Sequence, residues 1–223
     1  VTARATEVVG AVLAGGRSQR LGRDKVHVVL AGRSLLSRSI GLLAFSGITE
    51  VVVVGRAPAD LRPLDGIGPA GSVTVRAIAD DHPGQGPLGG IATMLGALAA
   101  TPQHDATAVL AIAVDLPLLT AEVLGTLLAA HRDAAPGVDV VVAATDRREP
   151  LCAIWNPSAA PVVRGRFDAG ERAVHRVLDS LTVVEVHVDP SRFTDVDTPE
   201  QLATLARHAD VVAGEPGADR PLR

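Results

Sequence analysis

Apolar runs alternate with stretches of helical period through the first two-thirds of the chain. Val8-Val9-Gly10-Ala11-Val12-Leu13 has no polar interruption and stops at Gly15-Gly16, the pattern of a strand covered on both faces. Leu35, Leu36, Ile40 and Leu43 then fall at helical spacing and predict a helix over residues 34–45. Residues 50–54 and 73–78 read as two further buried strands, and residues 88–100 as a helix after the polar, Pro- and Gly-rich stretch 80–86. A fourth buried strand over 106–114 ends at Asp115, and Thr120 is placed to cap a helix over 120–132. Strands over 138–144 and 151–155, a helix over 171–181 and a strand over 182–188 follow. A last helix covers 198–207, with Pro199 in its first turn. This alternation predicts an α/β, Rossmann-like fold, a mainly parallel sheet with helices on both faces. Ligands of such sheets sit at the C-terminal ends of the strands, so the loops after strands one, three and four are the ones to search. Residues 146–150 (D-R-R-E-P) are a linker candidate, and residues 209–223, without any period, are expected to form a mobile tail.

Composition narrows the function classes. Apolar residues make up 47% of the 223 but aromatics only 2%, so the core must be built from Val, Leu, Ile and Ala. A net charge of −4 leaves no basic excess for nucleic-acid binding by phosphate neutralisation. Cys152 is the single cysteine, which excludes an intrachain disulfide and a cysteine zinc cluster and suits a reducing, cytoplasmic setting. No apolar run reaches the roughly 18 residues of a membrane span, and residues 1–7 have no hydrophobic stretch of the kind a signal peptide needs. Of the 21 basic residues, Lys25 is the only lysine.

That lysine closes the segment Leu13-Ala14-Gly15-Gly16-Arg17-Ser18-Gln19-Arg20-Leu21-Gly22-Arg23-Asp24-Lys25. Adjacent glycines after a strand let backbone N–H groups approach an anion. Arg17, Arg20, Arg23 and Lys25 add positive charge around them. Together these features suit a triphosphate; the competing reading is an ordinary strand-to-helix turn with a solvated basic stretch. The spacing from Gly16 to Gly22, followed by Arg23, does not make a P-loop. Gly15-Gly16 lacks the intervening residue of a dinucleotide fingerprint.

L-A-G-G-R-S-Q-R-L-G-R-D-K resembles the signature of the molybdenum cofactor guanylyltransferases of the nucleotidyltransferase superfamily, with Leu21 where that pattern has Met. Further segments resemble the family in the same order. Asp80 precedes Gly86-Pro87-Leu88-Gly89-Gly90-Ile91, and Asp115 opens Asp115-Leu116-Pro117. Glu149-Pro150-Leu151-Cys152-Ala153 and Ala169-Gly170-Glu171-Arg172 come next, then Asp195-Val196-Asp197-Thr198-Pro199-Glu200. The resemblance runs from Leu13 to Leu202 and implies a fold of the nucleotide-diphospho-sugar transferase type.

The resemblance also implies roles. Leu13, Ala14, Gly15, Gly16, Lys25, Asp80, Gly86, Pro87, Leu88 and Asp115 would bind the nucleotide. Lys25, Arg17, Arg20 and Asp115 would be catalytic. Asp115 would hold Mg²⁺, with Asp197 a second candidate ligand. Arg172 and Arg176, four residues apart on one expected helix face, and Asp195 and Asp197 would meet the acceptor. Residues 1–208 would form one nucleotidyltransferase domain, with a nucleotide-binding half at about 7–145 and an acceptor-binding half at about 146–208. GTP and molybdopterin would be the substrates, and molybdenum-insertion or molybdoenzyme maturation proteins the partners.

Two departures keep alternatives open. Asp195 and Asp197 stand where the guanylyltransferases have Asn, and D-x-D-T-P is commoner in cytidylyltransferase relatives. The second strand ends Val53-Val54-Gly55-Arg56, where many relatives have Asn nearby. A cytidylyltransferase or sugar-phosphate nucleotidyltransferase of the same fold is therefore the alternative enzyme. A non-catalytic nucleotide-binding protein is the alternative of another class.

Overall fold

A computed structural model describes residues 7–15, 24–57, 59, 61, 73–100, 106–196 and 198–207. In chain order the strands are β1 (Glu7–Leu13), β2 (Val29–Leu30), β3 (Arg33–Ser34), β4 (Glu50–Val54), β5 (Thr74–Ile78), β6 (Ala106–Ala113), β7 (Val140–Ala144), β8 (Arg148–Trp155) and β9 (Val183–His187). The α-helices are α1 (Leu35–Phe45), α2 (Pro87–Ala99), α3 (Ala121–Asp133), α4 (Ala160–Asp168), α5 (Val174–Leu178) and α6 (Pro199–Arg207). No helix among the described residues is long and apolar enough to cross a membrane.

Seven strands form one sheet in the order β5-β4-β1-β6-β8-β7-β9. β1 pairs in parallel with β4 and β6, β4 with β5, and β7 with β9. β8 alone is reversed, antiparallel to both β6 and β7. The mainly parallel α/β sheet expected from the sequence is therefore present. Because β8 is antiparallel to both neighbours, β7 runs in the same direction as β6. The C-terminal ends of β6 and β7 and the start of β8 consequently share one edge of the sheet. Of residues 146–150, expected as a linker, Asp146 and Arg147 form the tight β7–β8 connection, where the Thr145 N–H donates to the Arg147 carbonyl at 2.8 Å, and residues 148–150 begin β8.

Alternation along the strands splits the core into two layers. Val12, Val51, Val53, Leu110, Ile112 and Ile154 face Leu36, Ile40 and Leu43 of α1 and Leu124 and Leu127 of α3. Val9, Ala11, Leu13, Val52 and Val54 face the other way, toward Leu88, Ile91 and Leu95 of α2 and toward α4 and α5. Burial on both faces is why the central strands read as unbroken apolar runs.

The helix expected over 171–181 is shorter than its pattern. Gly170 takes a φ of +93°, and the Glu171 carboxylate accepts the N–H groups of Arg172 and Ala173, so helical geometry begins only at Val174. Those two N–H groups hold the Glu171 carboxyl below the usual carboxylate range. Two elements lay outside the sequence reading: α4, which buries Val163 and Phe167 one turn apart, and the small β2–β3 hairpin.

Candidate active site

The sheet brings the expected loops to one edge. At the end of β1, the Ala14 N–H donates to the Val54 carbonyl at 3.0 Å, and the Leu13 carbonyl accepts from the Val114 N–H at 3.2 Å. Leu13 and Ala14 are buried and Gly15 is exposed. Gly16, Arg17 and Arg20 lie outside the described residues, as does Asp197. The Asp24 carboxylate accepts the Val26 N–H and caps a single 3-10 turn, Lys25–His27.

From that turn Lys25 reaches across the edge. Its Nζ lies 2.6 Å from Asp115 Oδ2 at the end of β6, with the two side chains 17% and 25% exposed. Two residues 90 apart in the chain thus form a charge-assisted hydrogen bond in a half-open cleft.

Asp80, after β5, stands beside Gly15 at the end of β1. Its Oδ1 accepts the His82 N–H at 2.9 Å and the Thr93 hydroxyl at 3.3 Å. A Cβ on Gly15 would come 3.3 Å from Asp80 Oδ2, so the missing side chain is what lets this carboxylate stand beside the loop. Gly55 is needed more strictly. Its φ is +87°, and a Cβ there would lie 2.6 Å from Gly15 Cα. This close approach gives a physical reason for Gly at the end of β4. Gly86, with φ +81°, turns the chain into α2; Pro87 starts that helix and Leu88 is fully buried beneath it.

A cavity of about 880 Å³ opens beside Asp115, within the size range of small-molecule sites. Pro87, Asp115, Arg172 and Asp195 line it. The Val196 N–H donates to the Asp115 carbonyl at 3.0 Å, which seats the Asp195 segment against the end of β6. Arg172 and Arg176 do not share a helix face: Arg172 precedes α5. Arg176, 69% exposed, lies 3.6 Å from Glu171 and does not line the cavity. The Arg172 guanidinium stacks 4.1 Å from the Phe167 ring centroid and donates to the Phe167 carbonyl and to Gln85 Oε1. Arg172 therefore joins the 80–86 loop to the α4–α5 junction as well as facing the cavity.

Other cavity residues were not foreseen. Arg147, Arg148 and His175 add cationic or titratable groups. Arg148 is paired with Asp179 at 3.2 Å and Glu185 at 2.7 Å, and Arg147 with Glu149 at 3.2 Å. The charges of D-R-R-E-P were the available signal, but only the reversed β8 turns that hairpin toward Asp115. Cys152 also lines the cavity, where burial and then the charge of Glu149 push its thiol pKa up.

Among the described residues no three His, Cys, Asp or Glu side chains gather as a metal cage. Asp115 does offer carboxylate oxygen, the donor type a hard cation prefers, at the cavity that Asp195 also lines.

Residues 10–186 match the family described as the MobA-like NTP transferase domain. A molybdenum cofactor guanylyltransferase from Xanthomonas euvesicatoria pv. vesicatoria is 36% identical over 201 residues, covering 88% of this chain and 93% of that protein. The crystal structure of molybdopterin-guanine dinucleotide biosynthesis protein A from Archaeoglobus fulgidus superposes with a TM-score of 0.69 at 26% identity, covering 91% of this chain and 99% of that one. A Mycobacterium tuberculosis H37Rv protein solved in complex with manganese shares the fold, with a TM-score of 0.64 at 19% identity over 92% of this chain and 100% of that one.

Proposed function

The chain belongs to the MobA-like NTP transferase family, and we propose that it transfers GMP from GTP to the terminal phosphate of molybdopterin, releasing pyrophosphate and giving molybdopterin guanine dinucleotide. The observation that carries this reading is the Lys25–Asp115 contact at 2.6 Å, beside a cavity wide enough for an acceptor.

The bond that forms joins an acceptor phosphate oxygen to the α-phosphorus of GTP; the bond that breaks frees pyrophosphate. A phosphate oxygen is already ionised near neutral pH, so no strong general base is required. Catalysis then rests on positioning and on matching developing negative charge. In this reading Lys25 exchanges its carboxylate partner for the α-phosphate as the nucleotide binds. Arg17 and Arg20 hold the β- and γ-phosphates until pyrophosphate departs. Asp80 accepts hydrogen bonds from the guanine edge or the ribose, over the opening left by Gly15. Mg²⁺, held by Asp115 with Asp197 as second candidate ligand, supplies charge neutralisation on the triphosphate when bound.

The acceptor occupies the cavity, with Arg172 and Asp195 on its wall and Arg147 and His175 as additional contacts. Arg176, which does not line the cavity, is not among these contacts. The nucleotide-binding half spans about 7–145 and the acceptor half about 146–208. A reducing cytoplasm suits the single buried Cys152, and molybdenum-insertion or molybdoenzyme maturation proteins are the natural suppliers and recipients.

Asp195 and Asp197, in place of the Asn pair, favour cytidylyl transfer as the second reading. Pyrophosphate release measured with each of the four NTPs, Mg²⁺ and molybdopterin separates the two. GTP is expected to exceed every other nucleotide by at least about tenfold in kcat/KM, a difference of about 1.4 kcal/mol in transition-state binding. Preference for CTP would replace the guanylyl reading with the cytidylyl one. Nucleotide binding without any pyrophosphate release would make the protein a non-catalytic binder.

A further inference from the structure

Arg56 leaves the sheet directly after Gly55, and its guanidinium is spent on the base of the nucleotide loop. Its Nε and Nη2 donate to the Ala14 carbonyl at 3.0 and 2.6 Å. Nη2 also donates to Asp24 Oδ1 at 2.7 Å, and Nη1 pairs with Asp24 Oδ2. Ala14 stands one residue before Gly15, and Asp24 one residue before Lys25. One planar group, 12% exposed, therefore ties the outgoing and returning ends of the loop together. Asp24 Oδ1 accepts the Val26 N–H as well, so the carboxylate that Arg56 grips also starts the turn from which Lys25 reaches Asp115.

We propose that Arg56 is a positioning residue: through Ala14 and Asp24 it closes the nucleotide loop at its base and sets the direction of Lys25. The inference rests on the reading of this loop as a triphosphate site. The guanidinium's charge is matched by Asp24, and its donors are directed at a carbonyl and a carboxylate, so it acts on the loop rather than on the phosphates. An ammonium already aimed by its neighbours loses less freedom when a ligand engages it, and that saving appears as affinity. A lysine cannot substitute, because a point donor does not span a carbonyl and a carboxylate in one plane.

The test is equilibrium titration with GTP, CTP, ATP and UTP of wild type, Arg56→Met, Arg56→Lys, Asp24→Asn and the Arg56→Met/Asp24→Asn double variant, each checked for folding by its thermal melt. Arg76→Met is the control for losing an ion pair elsewhere on the sheet, since Arg76 Nε lies 3.0 Å from Glu50 Oε1. Arg56→Met and Asp24→Asn are each expected to weaken the preferred nucleotide at least about tenfold, and the double variant to stay within about threefold of the weaker single, because either change alone opens the same bridge. Arg56→Lys stays weak, and Arg76→Met binds as wild type does.

The inference is overturned if Arg56→Met binds within about threefold of wild type, or if the two losses multiply in the double variant. It is also overturned if Asp24→Asn binds normally while Arg56→Met does not, which would make Arg56 a direct phosphate ligand. Should Arg56→Met fail to fold, Arg56→Lys and Asp24→Asn decide on the same limits. A wild type that prefers CTP removes the guanylyl reading and leaves Arg56 to be judged on CTP. A wild type that binds no triphosphate overturns both.

Discussion

Lys25→Ala is expected to lower the turnover of nucleotidyl transfer by at least about a hundredfold while the protein stays folded, because one preorganised electrostatic contact to a transition state is typically worth about 2.7–4 kcal/mol. In the contact Lys25 makes in the structure, 2.6 Å to Asp115 Oδ2, the Asp115 side chain keeps 25% of its surface exposed. Deleting the lysine therefore leaves a carboxylate that water can still reach, and the fold loses little. The loss falls on kcat more than on KM, since the contact of the ammonium with the α-phosphate strengthens as negative charge builds there in the transition state. Lys25→Arg does not restore the rate: a broad planar fork cannot take the place of a compact ammonium at this spot. Pyrophosphate release at saturating GTP gives the number, and a variant within about threefold of wild type would remove Lys25 from the chemistry.

Asp115→Asn is expected to cost at least as much turnover, about a hundredfold or more, and to differ from Lys25→Ala in how nucleotide binds. The substitution keeps the volume at the end of β6 but removes the negative charge facing Lys25. An anionic triphosphate then meets a stronger positive field at the loop. In the absence of any divalent cation, GTP should bind Asp115→Asn at least as tightly as wild type. In its presence wild type should gain affinity and the variant should not. Titration of both proteins with and without Mg²⁺ measures the crossing. If both gain equally from the cation, Asp115 is not the residue that holds it.

The central strands were legible because the sheet is covered on both faces there, so Val8 to Leu13 and residues 108–114 carry no polar position to confuse their period. The glycine turn and Asp115 were legible because strand ends in a parallel sheet share an edge, which places two segments distant in the chain together. The α4 helix was hidden by Pro161 and Gly165 in its sequence and by its few buried side chains, Val163 and Phe167. The expected helix face bearing Arg172 and Arg176 failed for a local reason: the positive φ of Gly170 and the grip of Glu171 on two N–H groups delay the helix until both spacing and direction have changed. Arg147 and Arg148 could not be placed in the cavity from spacing, because their position depends on the insertion of β8 between β6 and β7. Arg56 was visible only as a residue beside a departure from the family pattern; its hold on Asp24 spans 32 residues and needs the fold to be seen.

The most direct measurement is a crystal structure with GTP and Mg²⁺. The expected result is a triphosphate lying between the Gly15 turn and the end of β6, a cation on the Asp115 carboxylate, and Lys25 Nζ moved from that carboxylate to an oxygen of the α-phosphate. A nucleotide bound elsewhere while the Lys25–Asp115 pair stays closed would contradict it.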